Sequence, residues 1–352
     1  MPARTGYERV LAHRTDELFA KTARTDGKVT NKSENVITVT YSDGEVVSYE
    51  IGRRFGRWGG YNLPHDIHTD LKVGDAVKLG TPIVYNKQFF ERDYLDKNQV
   101  IYKTGVLART VLWEGVDTLE DSSALSPKLA DKLVSELTEV RNIKVPFDLE
   151  VKNLIKPGTK VEPESILCRL HTVTQGNRDI FDEDALSVLD LLSSNSPKAK
   201  MTGVVDKIEV LYSGELENMS ESLLAITEQS DSQIRKFNKQ LGKRATDGYV
   251  EAGYRVGGDP IENNTAIIRV YITGEQGMGV GDKAVFGHNL KTVICRIMNG
   301  PYTTEDGVEV DAIFGYTSIA NRIVLSSELI GTTNTLCVLL GEKAVKLYRG
   351  QS

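Results

Sequence analysis

Short runs in which apolar and polar residues alternate, each closed by a glycine-containing turn, constrain this chain more than any other feature. Asn35-Val-Ile-Thr-Val-Thr-Tyr41 and Glu45-Val-Val-Ser-Tyr-Glu-Ile51 flank Ser42-Asp43-Gly44. A period of two places alternate side chains on opposite faces, and the intervening triplet predicts a hairpin. A second pattern recurs. Leu71-Lys-Val-Gly74-Asp-Ala-Val77 leads into Gly80-Thr-Pro-Ile83, and Leu154-Ile-Lys-Pro-Gly158-Thr-Lys-Val161 leads into Glu164-Ser-Ile166-Leu. Each has a glycine at the tight-turn position before a strand-forming valine, a device that recurs in sandwich-like barrels. The fold class predicted is mainly β with a few helices.

Three stretches are expected to be helical. Ser126-Pro127 followed by Leu129, Leu133, Leu137 and Val140 predicts an N-capped amphipathic helix with proline in its first turn. Asp182 to Leu192 predicts a second, its acidic first turn suited to the helix dipole. From Ser220 to Lys243, Leu223, Leu224, Ile234, Phe237 and Leu241 predict one or two helices. There Glu221, Glu228 and Asp231 precede Arg235, Lys236, Lys239, Lys243 and Arg244.

With 352 residues, 40% of them hydrophobic, the chain can bury a core of two or three domains. Its net charge of −6 argues against an autonomous nucleic-acid binder, which is more often basic. A local basic surface on a subunit stays compatible, because charges beyond about 8 Å are screened at physiological salt. No run of about 18 apolar residues occurs, and Met1-Pro-Ala-Arg-Thr-Gly6 lacks the apolar stretch of a signal peptide, so a cytoplasmic protein without a membrane span is expected. Cys168, Cys295 and Cys337 each sit in an apolar, strand-like run and lack zinc-site spacing; buried thiols are expected.

Two stretches carry candidate chemistry. Lys283 and Lys291, eight residues apart in Gly281-Asp282-Lys283-Ala-Val-Phe-Gly-His288-Asn-Leu-Lys291, lie between the strand-like runs Ala266–Thr273 and Thr292–Met298. Two fixed cations on one wall repel unless an anion lies between them, and a phosphate chain has the matching spacing of charge. The alternative is two solvated surface lysines. Arg53-Arg54-Phe55-Gly56-Arg57-Trp58-Gly59-Gly60-Tyr61 combines three bases and three aromatics without an acid. Aromatic faces stack on bases while guanidiniums follow phosphates, so Arg53, Arg54, Arg57 and Trp58 are candidate nucleic-acid contacts; a set of tight turns is the other reading.

These motifs, with Ile267-Ile-Arg-Val-Tyr-Ile-Thr273 upstream of Gly281-Asp282-Lys283 and Asp306-Gly307, Val310-Asp311 and Arg322 downstream, resemble the double-psi barrel of the β (second-largest) subunit of multisubunit DNA-directed RNA polymerases. Leu112-Trp113-Glu114-Gly115 and Leu119-Glu120-Asp121-Ser122 are similar to that family's Pro-Trp-x-Gly-Tyr-Asn-Phe-Glu-Asp-Ser signature. Gly287 stands where the family usually has arginine, and the Pro-Ser pair before Arg322 is absent.

The resemblance implies a double-psi β-barrel with an inserted flap and an N-terminal β region. Residues 1–98 would be the β region of the hybrid-binding part and 99–145 the first half of the barrel. Residues 146–264 would be the flap-like insertion, with a solvated helical hairpin as the alternative for its Ser220–Lys243 stretch, and 265–352 the second half with the tail. It further implies that Lys283 and Lys291 contact the RNA 3′ end and the phosphates of the incoming NTP, as catalytic residues, and that Arg322 and His288 bind phosphate. Glu120 or Asp121 would hold a second Mg2+ through water; since adjacent residues of an extended segment face opposite ways, both cannot ligate one ion directly without a bend. The Asp-Phe-Asp-Gly-Asp loop that holds the principal Mg2+ belongs to the largest subunit and has no counterpart here, so this chain alone should be inactive. Implied partners are a DNA template, the RNA transcript, NTPs, the largest subunit, the remaining β fragment and an initiation factor at the flap. The length fits a split subunit, most simply a virus-encoded one acting in the host cytoplasm or virion. Two readings of other classes are a non-catalytic interaction module of a transcription complex and a lipoyl-type carrier built on Asp282-Lys283-Ala284. The carrier reading conflicts with the order of the half-repeats.

Overall fold

The computed structural model describes residues 6–58, 61–116, 118–172, 196–243, 246–322 and 325–350. The chain divides into two compact units, one of residues 12–100 and 136–275, the other of 1–11, 101–135 and 276–352. The architecture is mainly β, as the alternating runs predict.

In the larger unit the expected hairpin forms between Val36–Tyr41 and Val46–Glu50, in register from Val36 opposite Glu50 to Thr40 opposite Val46. Gly44 takes φ 87° in its turn, a conformation that a Cβ would penalise. Alternation then puts Ile37 and Val39, both fully buried, against Val29, Val77, Ile83 and Val84. A second core lies under the long strands Gly203–Ser213 and Thr265–Gln276, which pair antiparallel from Val204 opposite Thr273 to Ser213 opposite Thr265. Val205, Val210, Ile268, Val270 and Ile272 line it together with Leu223. Leu223 belongs to a single helix, Glu221–Gln240, whose N-cap Ser220 accepts from the Leu223 N–H. The segment expected to be helical from Asp182 to Leu192 lies outside the described residues.

The helix expected after Ser126 is corrected. Ser126 Oγ does cap it, accepting from the Leu129 N–H at 3.1 Å, but the helix ends after one turn, Pro127–Ala130. Leu137 and Val140 lie instead on the strand Ser135–Pro146, next in the sheet to Thr265–Gln276. Thr138, Val140, Ile143 and Val145 are β-branched, and pairing with a long neighbouring strand outweighs leucine spacing that suits a helix. Cys337 is a second correction. It is exposed on the helix Leu325–Tyr348, while Cys295 is half-buried and Cys168 fully buried, its thiol pushed up to about 12 by burial. Leucine, glutamate and lysine in that segment lose little side-chain freedom in a helix, and strict alternation is missing. No helix among the described residues is long and apolar enough to cross a membrane.

One polar knot in the larger unit has a measurable consequence. Asp70 accepts from Arg92 Nε and from the Tyr85 hydroxyl, each at 3.0 Å, and meets His68 Nε2 at 3.1 Å. Burial alone would raise its pKa, but these bonds outweigh burial and hold it at about 2. The carboxylate therefore contributes stability that is present above its ordinary value near 3.8 and lost as pH falls toward 2. Asp70→Asn is expected to lower stability by about 1–2 kcal/mol at neutral pH, discounted for partial exposure. The gap from wild type should close between pH 4 and 2, read as urea midpoints against pH; a gap constant across that range would refute the assignment.

The smaller unit holds a five-stranded sheet in the order Thr110–Leu112, Ala312–Phe314, Ser122–Leu125, Leu290–Ile297, Lys283–Phe286. Thr110–Leu112 runs parallel to Ala312–Phe314, and Ser122–Leu125 parallel to Leu290–Ile297. Two stretches distant in sequence are thus interleaved. Leu125, Leu129, Ile294 and Ala312 form one apolar cluster beneath the sheet, and Leu290, Phe314 and Ile319 another.

Candidate nucleotide-phosphate site

The lysine hairpin of the smaller unit pairs Lys283 with Val293 and Val285 with Lys291. Directly opposed residues share a face, as do residues two apart along a strand, so Lys283, Val285, Lys291 and Val293 all lie on one side. That side is exposed. The other carries Leu290, Thr292 and Ile294, all buried, with Phe286 stacked on Phe314 at 4.7 Å between ring centroids. The two lysines are diagonal neighbours, whose Cα atoms in such ladders are about 7–8 Å apart. Among the described residues neither ammonium makes an ion pair. Residues 287–289 form the turn, with Asn289 at φ 61°; the His288 side chain lies outside the described set.

On the far side of the Leu290–Ile297 strand sits Asp121. Its carbonyl accepts from the Val293 N–H at 2.9 Å, and Val293 is the residue opposite Lys283. Its carboxylate Oδ2 accepts from Arg322 Nη2 at 2.8 Å, while Oδ1 is buried without a hydrogen-bond partner among the described residues. The Asp121 N–H donates to Ser318 Oγ at 2.7 Å. Glu120 is exposed. Glu114 accepts a hydrogen bond from the Thr317 hydroxyl in the same short helix, Tyr316–Ala320, that carries Ser318. The fold therefore gathers Lys283, Lys291, Asp121 and Arg322 from three separate stretches of sequence. Sequence reasoning missed Ser318 and Thr317. No local signal marks them, since Ser318 and Asp121 are 197 positions apart.

The basic segment Arg53–Trp58 belongs to the larger unit and forms the strand Gly52–Trp58, paired with Tyr61–His68. Arg53 is engaged by three carboxylates, Asp66 at 2.9 Å, Glu136 at 3.0 Å and Asp206 at 3.3 Å. Arg54 pairs with Glu50 and lies over the Phe237 ring, 5.0 Å from its centroid. The absence of acids along this segment in sequence thus hides acids supplied by the fold. The side chains of Arg57 and Trp58 lie outside the described set.

Comparison with known proteins gives the class: the chain is similar to β subunits of bacterial DNA-directed RNA polymerases. It is 27% identical over 331 residues to that subunit of Streptococcus pneumoniae, matching 91% of this chain and 25% of the relative. The subunits of Streptococcus sanguinis and Streptococcus gordonii match at the same 27% over 331 residues, 91% of this chain and 25% of theirs. The chain therefore spans about a quarter of the length of the curated relatives it matches. The model of the family RNA polymerase Rpb2, domain 6, matches residues 83–342, and the chain belongs to that family.

Proposed function

We propose that this chain is a piece of the β subunit of a DNA-directed RNA polymerase and that its lysine hairpin faces the reacting phosphates. Lys283 and Lys291 would bind the RNA 3′ end and the NTP phosphates. Arg322 would bind the outer phosphates, where a planar fork meets phosphate oxygens in pairs. The observation that carries this reading is the shared exposed face of two lysines, without an ion pair among the described residues, beside the Asp121–Arg322 corner. Nucleotidyl transfer depends mostly on positioning and on fixed charge, which such a wall supplies. A net charge of −6 for the whole chain suits a subunit that presents one local cationic face.

Mg2+ is the metal this chemistry needs. Among the described residues no group of three His, Cys, Asp or Glu could hold an ion by itself. The unpartnered Asp121 Oδ1 and the exposed Glu120 fit a share in an ion completed by phosphates and another subunit. Bound there, Mg2+ would offset charge on the phosphates. The five-stranded sheet, with its two parallel pairings of distant strands, suits a double-psi barrel drawn from the segments 99–145 and 265–352, of which the strands Ser135–Pro146 and Thr265–Gln276 lie in a different sheet. Contact of Arg53, Arg54, Arg57 and Trp58 with the RNA–DNA hybrid belongs to the same reading, with Arg53 and Arg54 also held by carboxylates. The remaining β fragment, the largest subunit, the DNA template, and the split, virus-encoded origin belong to the same reading.

Purifying the assembled complex through this chain and supplying a primed template with a photoreactive group at the RNA 3′ end tests it. Template-directed extension with crosslinks in the peptide spanning Lys283 and Lys291 is expected. Extension with crosslinks confined to other chains would overturn the placement of the lysines.

A further inference from the structure

Asp121 adopts φ 61°, a left-handed conformation that is costly for a non-glycine residue. Both of its backbone polar groups are tied down in that state. The C=O accepts from Val293 of the lysine hairpin at 2.9 Å, and the N–H donates to Ser318 Oγ at 2.7 Å. Ser318 is fully buried, at 0% exposure, so no water replaces its oxygen freely. The turn before it presses on the same loop: a Cβ on Gly315 would stand 2.7 Å from the Leu119 carbonyl oxygen. Four residues after Ser318, Arg322 grips Asp121 Oδ2 at 2.8 Å and leaves Oδ1 buried, with no partner among the described residues. A change of φ to the extended region would reverse the direction in which Asp121 sends its carboxylate, toward the corner or away from it.

We propose that Ser318 is a positioning residue, the hydroxyl that holds Asp121 in its left-handed conformation and so presents Oδ1 to a divalent cation. Ser318 does not touch substrate or metal; it acts only through the Asp121 amide. The inference rests on the reading of Asp121 given above and deepens it. Without the hydroxyl the amide loses its acceptor in a buried place, and the balance between the two backbone states shifts by roughly 5- to 30-fold.

The test uses the assembled complex and the full-length chain. Primer extension is titrated with MgCl2 for wild type, Ser318→Ala, Ser318→Thr, Asp121→Ala and the double variant Asp121→Ala with Ser318→Ala. Ser318→Ala is expected to raise the Mg2+ concentration for half-maximal rate roughly 5- to 30-fold while leaving the rate at saturating Mg2+ largely intact. Ser318→Thr, which keeps the oxygen, is expected to restore the wild-type Mg2+ dependence, and Ser318→Ala is expected to add nothing once Asp121 is alanine. Independently of activity, hydrogen exchange of the peptide covering residues 119–123 should quicken in Ser318→Ala. A fall in maximal rate with unchanged Mg2+ dependence, or full additivity in the double variant, overturns the role of Ser318. An unchanged Mg2+ dependence in Asp121→Ala overturns the reading of Asp121 itself, so the two failures are told apart.

Discussion

Replacing Lys283 and Lys291 together by alanine is expected to slow nucleotide addition by the assembled complex about a thousandfold, with the fold of the chain untouched. The magnitude follows from the charge being fixed in advance: removing one preorganised donor to a developing oxyanion costs about 10²–10³ in rate, and groups acting as a unit are not additive. The second half of the expectation follows from the register. Both side chains stand on the exposed face of the hairpin, and the packing against Phe314 and Ile294 comes from its other face. Like charges about 8 Å apart in water repel by about 0.5 kcal/mol, so the alanine variant should be at least as stable as wild type. Single-nucleotide addition kinetics and a thermal melt of the isolated chain check both halves. A rate within threefold of wild type would leave these as ordinary surface lysines and favour a non-catalytic interaction module.

Phe314→Ala is expected to cost about 3–5 kcal/mol and to dismantle the sheet that carries the lysines. Phe314 is 1% exposed, stacks on Phe286 of the lysine hairpin, and packs with Leu290 and Ile319. Its strand lies between Thr110–Leu112 on one side and Ser122–Leu125 on the other, so the cavity opens where three strands meet. Against a total stability of about 5–15 kcal/mol, such a loss removes much of the margin. Hydrogen exchange should show protection collapsing across residues 283–297, with residues 203–213 as the internal reference. Phe314→Leu keeps most of the volume and should recover the greater part of the loss. Unchanged protection at 283–297 in the alanine variant would mean that the aromatic stack does not support the hairpin.

What could be read from sequence was local. The hairpin around Gly44 needs only alternation and a turn that tolerates positive φ, both contained in about fifteen residues. The lysine pair was legible for the same reason, because the ladder from Lys283 to Val293 is closed by its own turn. Errors arose where distant pairing decides. Leu129, Leu133, Leu137 and Val140 have helical spacing, yet the distant strand Thr265–Gln276 draws the last two into a sheet. Arg53 looked free because its three carboxylate partners come from positions 66, 136 and 206. Ser318 was invisible, since a serine among apolar residues carries no mark of the amide it will meet.

The parallel pairings in the smaller unit bear on synthesis as well as on chemistry. The Arg109 amide reaches Asp311 across 202 positions, and the strands beside them are joined over a comparable distance. A ribosome must therefore translate a further stretch of 202 positions before those strands find their mates, and closing so long a loop is entropically slow. Until then the early segment Thr110–Leu125 waits as unpaired edges, exposed to aggregation. Nascent chains released before residue 290 would have no native way to satisfy it. Slowing translation ahead of that point should burden chaperones more than slowing it afterwards.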